Sequence, residues 1–307
     1  MATSQLPKRP FQPPRIRRVA SVRRSLIILV LTLSFVLVLV LTPEATRVQA
    51  IGVFDGLRAP GEAAFTASHR GDRSAAPENT IPALKKALDG PTAFVETDVR
   101  LSADGVPVLI HDYRVDRTTD GQGRVRTLTL RQLQKLDAGS WYSQEFAGTR
   151  IPTLESFLAL VRDSRKKVLL ELKGFWSSSE ARIVTDLIRR HGVQDRIIVA
   201  SFDTTTLHNV AGADASLPRV VITPALPPDP VGFATLYGVI AIVTSHASVE
   251  ADPGAVDRMH RAGLGVVLYT LNSTKRWRAA MNLGVDGIIT DKPGKLDSWL
   301  ARVAPAA

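Results

Sequence analysis

The chain has 307 residues, no cysteine and a formal net charge of +10. An apolar fraction of 45% and a charged fraction of 22% are typical of a folded globular chain and exclude a mainly disordered protein. The lack of cysteine excludes disulfides, thiolate metal sites, a cysteine nucleophile and a lipidated-cysteine anchor.

The positive charge is concentrated near the N-terminus. Residues 1–50 contain eight basic residues and one acidic residue, so they carry +7 and leave +3 on residues 51–307. A balance of +3 on a chain with many acids is typical of an ordinary mixed surface. We therefore predict no nucleic-acid partner.

Residues 26–42 form an uncharged apolar run that follows seven basic residues. This pattern is typical of a membrane-targeting segment whose basic side stays in the cytoplasm. Small residues at Val48 and Ala50 suit signal-peptidase cleavage after Ala50, so a cleaved signal and a single-span anchor both stay open. In either case, residues 1–50 are predicted to be a targeting segment and residues 51–307 an extracytoplasmic domain, secreted or held at the membrane.

Residues 51–307 alternate between apolar runs and amphipathic stretches. The apolar runs predict strands at residues 65–68, 94–99, 106–111, 167–172, 196–200, 219–222, 239–244, 265–271 and 287–290. The stretches between them predict helices at 81–88, 130–136, 154–161, 179–191, 204–210, 253–262, 274–283 and 295–303. Gly192, Gly263 and Gly284 follow three of these helices and suit left-handed caps. About eight strand–helix units over ~250 residues favour an α/β fold, a (β/α)₈ TIM barrel, over a doubly wound sheet.

Three acids lie in the predicted strands. Glu96 and Asp98 are two residues apart and face the same side of one strand, where they repel each other unless a cation lies between them. Glu171 is a third acid within an otherwise apolar strand. Three carboxylates at one barrel mouth, without cysteine, predict a hard oxygen site that suits one Mg²⁺ or Ca²⁺ ion.

Histidine and cationic residues follow the same strands. His69 and His111 each end an apolar run, and as a pair they suit a general base and a general acid that cleave a phosphate ester. Arg70 can hold a phosphate through two parallel hydrogen bonds, and Lys173 adds a second positive charge.

Several separated motifs, in the correct order over about residues 64–300, resemble the glycerophosphodiester phosphodiesterases. They are His69-Arg70-Gly71, Pro77-Glu78-Asn79-Thr80, Glu96-Thr97-Asp98-Val99, His111-Asp112, Asp116-Arg117-Thr118-Thr119, Leu136-Asp137-Ala138-Gly139-Ser140-Trp141, Ile151-Pro152-Thr153-Leu154-Glu155, Glu171-Leu172-Lys173 and Asp286-Gly287-Ile288-Ile289-Thr290-Asp291-Lys292-Pro293. The resemblance implies a TIM barrel enzyme that splits a glycerophosphodiester into glycerol phosphate and an alcohol.

The resemblance also implies roles for individual residues. Those matching Glu96, Asp98 and Glu171 would hold a divalent metal, those matching His69 and His111 would be the acid–base pair, and those matching Arg70 and Lys173 would hold the phosphate. Further substrate contacts are predicted for Glu78, Phe202 and Tyr269, with core packing as the alternative for Phe202. Water and the neighbouring glycerol hydroxyl both stay open as the nucleophile.

One departure from the family concerns the last strands. Many members have a tryptophan followed by Thr-Val-Asn, where this chain has Tyr269-Thr270-Leu271-Asn272. Two alternatives to the glycerophosphodiester reaction stay open. One is a lipase D-like barrel that cleaves lysophospholipid or sphingolipid with the same site, and the other is an anchored barrel that binds phosphodiesters without turnover.

Overall fold

The computed structural model describes residues 50–304, which form a barrel of parallel strands surrounded by helices. The strands are β1 (Phe65–Ser68), β2 (Phe94–Leu101), β3 (Pro107–Leu109), β4 (Lys167–Leu172), β5 (Ile197–Ser201), β6 (Arg219–Ile222), β7 (Ala241–Ser245), β8 (Gly265–Tyr269) and β9 (Gly287–Thr290). Apart from β3, each pairs in parallel with its neighbours, and β1 pairs with both β2 and β9. This double pairing closes the sheet, and the predicted TIM barrel is confirmed.

The third strand is not part of the barrel wall. The strand predicted at residues 106–111 is present at residues 107–109, but it pairs antiparallel with β2, with Val99 opposite Leu109, and so lies outside the parallel barrel. The chain after β3 instead forms an excursion with its own small core of Val108, Ile110, Val115, Val125, Leu133, Ala138 and Ile151. His111 follows β3, so this excursion determines where His111 lies.

The helices lie outside the barrel. They are α1 (Ile81–Asp89), α2 (Leu130–Leu133), α3 (Leu154–Arg162), α4 (Ser178–His191), α5 (Thr204–Ala213), α6 (Pro230–Tyr237), α7 (His246–Ala251), α8 (Gly254–Arg261), α9 (Thr274–Asn282) and α10 (Pro293–Val303). The three glycines predicted to follow helices as caps have the expected positive φ of 66°, 73° and 72°. The main hydrophobic core lies between these helices and the outer face of the strands.

Two helices were not predicted. α6 follows the proline-rich loop and has apolar residues on all sides, so it lacks the one-sided pattern on which helix prediction depends. Its start signals are nevertheless present, since the Asp229 side chain accepts a hydrogen bond from Gly232 N and Pro230 occupies the first turn. α7 has only six residues, too few for a periodic pattern to be recognised.

A helical turn at residues 50–54 closes the amino end of the barrel. Phe54 contacts Phe65 and Phe94, the first residues of β1 and β2, with ring centroids 5.3 and 6.3 Å away. Lys167, the first residue of β4, donates a hydrogen bond of 2.6 Å to Val53 O. The described chain therefore begins at the end of the barrel opposite the carboxyl ends of the strands.

Residues 1–49 and 305–307 lie outside the described part of the chain. The predicted targeting segment and the boundary after residue 50 therefore stay predictions. Between residues 50 and 304, no helix combines the length and the apolar character needed to cross a bilayer.

Asp286 is fully buried at the amino end of β9 and joins three parts of the chain. Its carboxylate accepts hydrogen bonds from Arg58 N, Val266 N and His260 Nε2 at 2.9, 2.7 and 3.0 Å. We expect Asp286→Ala to lower the free energy of unfolding by about 3 kcal/mol or more, because buried donors lose their acceptor. Urea denaturation measures the loss, and Asp195→Ala, whose carboxyl is 78% exposed, is the control. A loss as small as that of the control would contradict the assignment.

Candidate active site

The carboxyl ends of the barrel strands surround a cavity of about 210 Å³. Its polar lining comes from residues in or directly after β1, β2, β3 and β4, namely His69, Arg70, Glu96, His111, Glu171 and Lys173. Apolar side chains from β4, β6, β7 and β9 complete the wall, namely Leu169, Ile222, Val243 and Ile289. The residues predicted to carry acid, base and cationic functions are thus brought together at the mouth of the barrel.

Three buried carboxylates lie together at this mouth. Glu96, Asp98 and Glu171 each offer an oxygen, and these atoms lie within 4.8 Å of one another. Burial, with Asp98 and Glu171 nearby, raises the pKa of Glu96 well above the ordinary glutamate value. Burial and the charge of Asp98 raise the pKa of Glu171 to about 7. Such mutual repulsion among hard oxygen donors fits a divalent cation such as Mg²⁺ or Ca²⁺.

Two cations lie beside the carboxylates. Lys173 Nζ is 2.8 Å from Glu171 Oε1 and 3.6 Å from Asp98 Oδ1, and Arg70 Nε is 3.4 Å from Asp98 Oδ2. Although burial opposes ionisation, Lys173 and Arg70 lower the pKa of Asp98. The mouth therefore combines an acidic cluster with a cationic edge, an arrangement that suits both a metal ion and a phosphate.

The raised pKa of Glu171 gives a stability prediction. The folded chain holds the proton more tightly than the unfolded chain, so this group stabilises the fold below its ordinary pKa of 4.5. In EDTA we expect this contribution to be lost as the pH rises from 4.5 to about 7. The free energy of unfolding, measured against pH, should fall more steeply for the wild type than for Glu171→Gln, which cannot ionise. Equal slopes would contradict the prediction.

Arg70 is held in place by Glu78. Arg70 Nη1 donates to Glu78 Oε1 at 2.7 Å, and Arg73 Nη2 lies 2.8 Å from Glu78 Oε2. Arg117 Nη2 donates to Glu78 Oε1 at 2.6 Å. Although burial opposes it, the Arg117 hydrogen bond and the charges of Arg70 and Arg73 lower the pKa of Glu78. Glu78 is buried and does not line the main cavity, so its predicted contact with substrate has no support in this geometry.

The loop after β1 requires an unusual backbone. Arg70 has a φ of 56°, and Gly71 has a φ of 76°. A Cβ on Gly71 would lie 2.7 Å from the carbonyl carbon of Ala83, which leaves no room for a side chain. This turn directs Arg70 N to Glu96 Oε2, at 2.7 Å, and ties the loop to the acidic cluster.

His69 has a carboxylate partner from the other end of the sequence. Its Nδ1 lies 2.6 Å from Asp291 Oδ1, and Asn272 Nδ2 donates to Asp291 Oδ2 at 2.7 Å. Although burial opposes it, the hydrogen bond with His69 lowers the pKa of Asp291 to about 2. An ionised Asp291 holds a proton on Nδ1 of His69 and leaves Nε2 without one.

His111 has a similar arrangement. Its Nδ1 lies 2.6 Å from Asp112 Oδ1, and Arg117 Nε donates to Asp112 Oδ2 at 2.7 Å. Burial lowers the pKa of His111 although Asp98 opposes this. Arg117 contacts both Asp112 and Glu78, so one guanidinium links the orientation of His111 to that of Arg70.

Asp291 is predicted to be a positioning residue for His69. Asp291→Asn should lower kcat by about 10²–10⁴-fold, because an amide no longer selects the Nδ1-protonated tautomer. The ¹⁵N spectrum of the His69 ring should show the change of tautomer, an effect that a purely structural role would not produce. Asp297→Asn on α10 is the control. An unchanged His69 spectrum would contradict this role.

Aromatic side chains form the side of the mouth next to Lys173. Phe202, which is 47% exposed, meets Tyr269 edge to face with ring centroids 6.2 Å apart. Lys173 Nζ lies 5.5 Å from the centre of the Phe202 ring. Tyr269 donates a hydrogen bond of 3.2 Å to Thr223 O. Phe202 is therefore a cavity residue, and core packing, the alternative considered for it, does not apply.

Sequence reasoning did not give roles to the partners of the site residues. Asn79 accepts hydrogen bonds from Thr97 Oγ1 and Asp98 N and donates to Asp98 Oδ2 at 2.8 Å. The other missed partners are Asp112, Arg117, Asn272 and Asp291. All five lie in or beside the motifs noted in the sequence. Two of them, Asp112 and Asp291, are carboxylates able to orient a histidine, and their presence in these motifs was the signal that could have identified them.

The chain is a TIM barrel with two carboxylate-paired histidines and an acidic cluster at its mouth, and comparisons with known proteins give its family. Residues 69–295 match the model of the glycerophosphoryl diester phosphodiesterase family. A Bacillus subtilis protein named as a candidate glycerophosphodiester phosphodiesterase is 36% identical over 75% of this chain and 95% of its own length. The glycerophosphodiester phosphodiesterase of Caldanaerobacter subterraneus is 32% identical over 75% of this chain and 94% of its own.

A solved structure is also similar. The phosphodiesterase of Oleispira antarctica, in complex with its product sn-glycerol-3-phosphate, is 29% identical and superimposes with a TM-score of 0.73, over 76% of this chain and 95% of that chain. The chain belongs to the glycerophosphodiester phosphodiesterase family, and it is an enzyme of that family.

Proposed function

We propose that this enzyme hydrolyses glycerophosphodiesters to glycerol phosphate and an alcohol by two-histidine acid–base catalysis that depends on a divalent cation. The observation that carries the proposal is the pairing of His69 and His111 with separate carboxylates beside one cavity that Glu96 and Glu171 of the acidic cluster also line. A site that only binds phosphodiesters needs cations, but it does not need two histidines held in a defined tautomer.

Each histidine carries out one of the two proton transfers of the reaction. With Nδ1 of His69 and of His111 held by Asp291 and Asp112, the Nε2 atoms are the ones that exchange protons with the substrate. One histidine removes a proton from the nucleophile, and the other gives a proton to the oxygen of the departing alcohol. Two residues are needed because attack and departure occur on opposite sides of the phosphorus.

Arg70 and Lys173 hold the phosphate and oppose the charge that builds up on its oxygens. Glu78 fixes the Arg70 guanidinium, and we propose that it acts through Arg70 and does not contact the substrate. Lys173 is held between Glu171 and the Phe202 ring, so its charge lies between the acidic cluster and the aromatic side of the mouth.

Glu96, Asp98 and Glu171 would hold the divalent cation, Mg²⁺ or Ca²⁺. When bound, such an ion withdraws charge from a phosphate oxygen and helps to position the reacting groups. The proposal is supported by the spacing of the three carboxylates and by the raised pKa of Glu96 and Glu171.

A second candidate substrate class is lysophospholipid or sphingolipid, cleaved with the same residues. The exposed Phe202 and the apolar side chains of the cavity favour this candidate, because they would contact a lipid-like substituent. We further propose that the enzyme acts outside the cytoplasm, anchored to the membrane by its N-terminal segment or secreted after cleavage near Ala50. The apolar run at residues 26–42 and the basic residues before it support this location.

The function is tested with the purified full-length chain and a panel of substrates, each assayed in EDTA and after addition of Mg²⁺ or Ca²⁺. We expect release of glycerol phosphate from glycerophosphocholine only when a divalent cation is present. Faster release of choline from lysophosphatidylcholine would favour the lipid candidate. No turnover of any substrate with cation present would contradict the proposed function.

A further inference from the structure

A second cavity, of about 600 Å³, adjoins the mouth. It lies at the carboxyl ends of β7 and β8, between α7 and the start of α9, and Tyr269 and Thr270 line both this cavity and the mouth. The two cavities therefore share Tyr269 and Thr270, and a substituent of a substrate whose phosphate lies in the mouth would cross these residues to enter the second cavity.

The lining of the second cavity contains two cations, Lys275 and Arg276. Lys275 and Arg276 are exposed in the first turn of α9, and neither forms an ion pair within residues 50–304. Arg70, Arg73 and Arg117 beside the mouth, in contrast, all bind Glu78. Cations that neutralise no protein carboxylate are available to an anionic ligand.

A third polar side chain of the cavity lining is that of His246. His246 Nε2 is buried, and within the described chain it makes no hydrogen bond. Its Nδ1 lies 3.5 Å from Glu250 Oε2, the one carboxylate of the lining, which is 71% exposed. A buried polar atom without a partner is costly, and a ligand that reached Nε2 would supply the missing contact.

We propose that this second cavity binds a phosphate group carried by the alcohol arm of the substrate. The inference rests on the proposed function, because the mouth has to hold the diester phosphate. The glycerol arm of a glycerophosphodiester ends in uncharged hydroxyl groups, so a second anionic group belongs to the other alcohol. Lys275 and Arg276 supply two positive charges for a phosphate monoester, and His246 supplies a hydrogen bond. The preferred substrates are therefore glycerophosphodiesters of phosphorylated alcohols.

Two substrates that differ by one phosphate test the inference, namely glycerophosphoinositol and glycerophosphoinositol 4-phosphate. With the full-length enzyme and added divalent cation, we expect kcat/KM to be about tenfold or more higher for the phosphorylated substrate, the effect of a hydrogen bond to a charged group. The ratio of the two kcat/KM values should fall close to one in the double variant Lys275→Gln, Arg276→Gln. It should rise in Glu250→Gln, which removes the opposing charge.

The double variant Lys85→Gln, Lys86→Gln is the control, because it removes two exposed charges from α1 and should keep the wild-type ratio. A wild-type ratio near one, or a ratio that the Lys275 and Arg276 changes leave intact, would overturn the inference. In that outcome hydrolysis of glycerophosphoinositol still supports the proposed function. Failure to hydrolyse either substrate or glycerophosphocholine would instead overturn the proposed function and the inference with it.

Discussion

His69→Ala and His111→Ala should each lower kcat for glycerophosphocholine by about 10²–10⁴-fold, because each removes one of the two proton-transferring groups. Each ring is held by a carboxylate 2.6 Å from its Nδ1, so neither can take over the position of the other. Release of glycerol phosphate measures kcat and KM. Since the two histidines act in one reaction, the double variant should lose little more activity than the more impaired single variant.

The matched control is His208→Ala, since His208 is exposed on α5. It should keep wild-type kcat and KM. Circular dichroism and thermal unfolding establish whether the two cavity variants keep their fold. A folded His69→Ala or His111→Ala enzyme with at least half of the wild-type kcat would remove that histidine from the acid–base pair.

Removal of divalent cations with EDTA should abolish turnover, and Mg²⁺ or Ca²⁺ should restore it, because the three carboxylates of the cluster lie within 4.8 Å of one another. Glu96→Gln and Glu171→Gln should raise the cation concentration for half-maximal activity more than about tenfold, since even loss of a residue that supports a ligand has that effect. Calorimetric titration measures cation binding independently of turnover.

Glu180→Gln, which changes an acid outside the cavity, is the control for these two variants and should leave cation binding unchanged. Full activity of the wild type after exhaustive chelation would contradict the metal dependence. Unchanged cation affinity in both Glu96→Gln and Glu171→Gln would place the ion elsewhere.

The barrel was predictable where strands are buried on both faces. The predicted bounds of β1, β4, β6 and β9 agree with the structure, because a buried parallel strand is a continuous apolar run that ends at polar residues. The position of β3 outside the barrel was not predictable, because its run at residues 106–111 is equally apolar. A strand with a parallel neighbour and a strand with an antiparallel neighbour can have the same apolar pattern. The sequence of this run therefore does not show whether it pairs parallel or antiparallel with β2.

The candidate site was predictable as a set of residue types at strand ends. Chemistry in a TIM barrel lies at the carboxyl ends of the strands, and His69, Glu96 and Glu171 could be found by that rule. Their partners followed no such rule. His69 and Asp291 are 222 positions apart, and only the closure of the barrel, which places β1 beside β9, brings them within 2.6 Å.

The sequence by itself determined the distribution of charge, the α/β alternation and the residue types of the mouth, because these depend on composition and local periodicity. Tertiary structure decided which residues are neighbours. It assigned Glu78 to three arginines, placed Phe202 in the cavity wall, and left Lys275 and Arg276, beside a second cavity, without an acidic partner among residues 50–304. The physical reason is that a charge acts over a few ångströms of space, and distance along the chain says little about distance in the folded barrel.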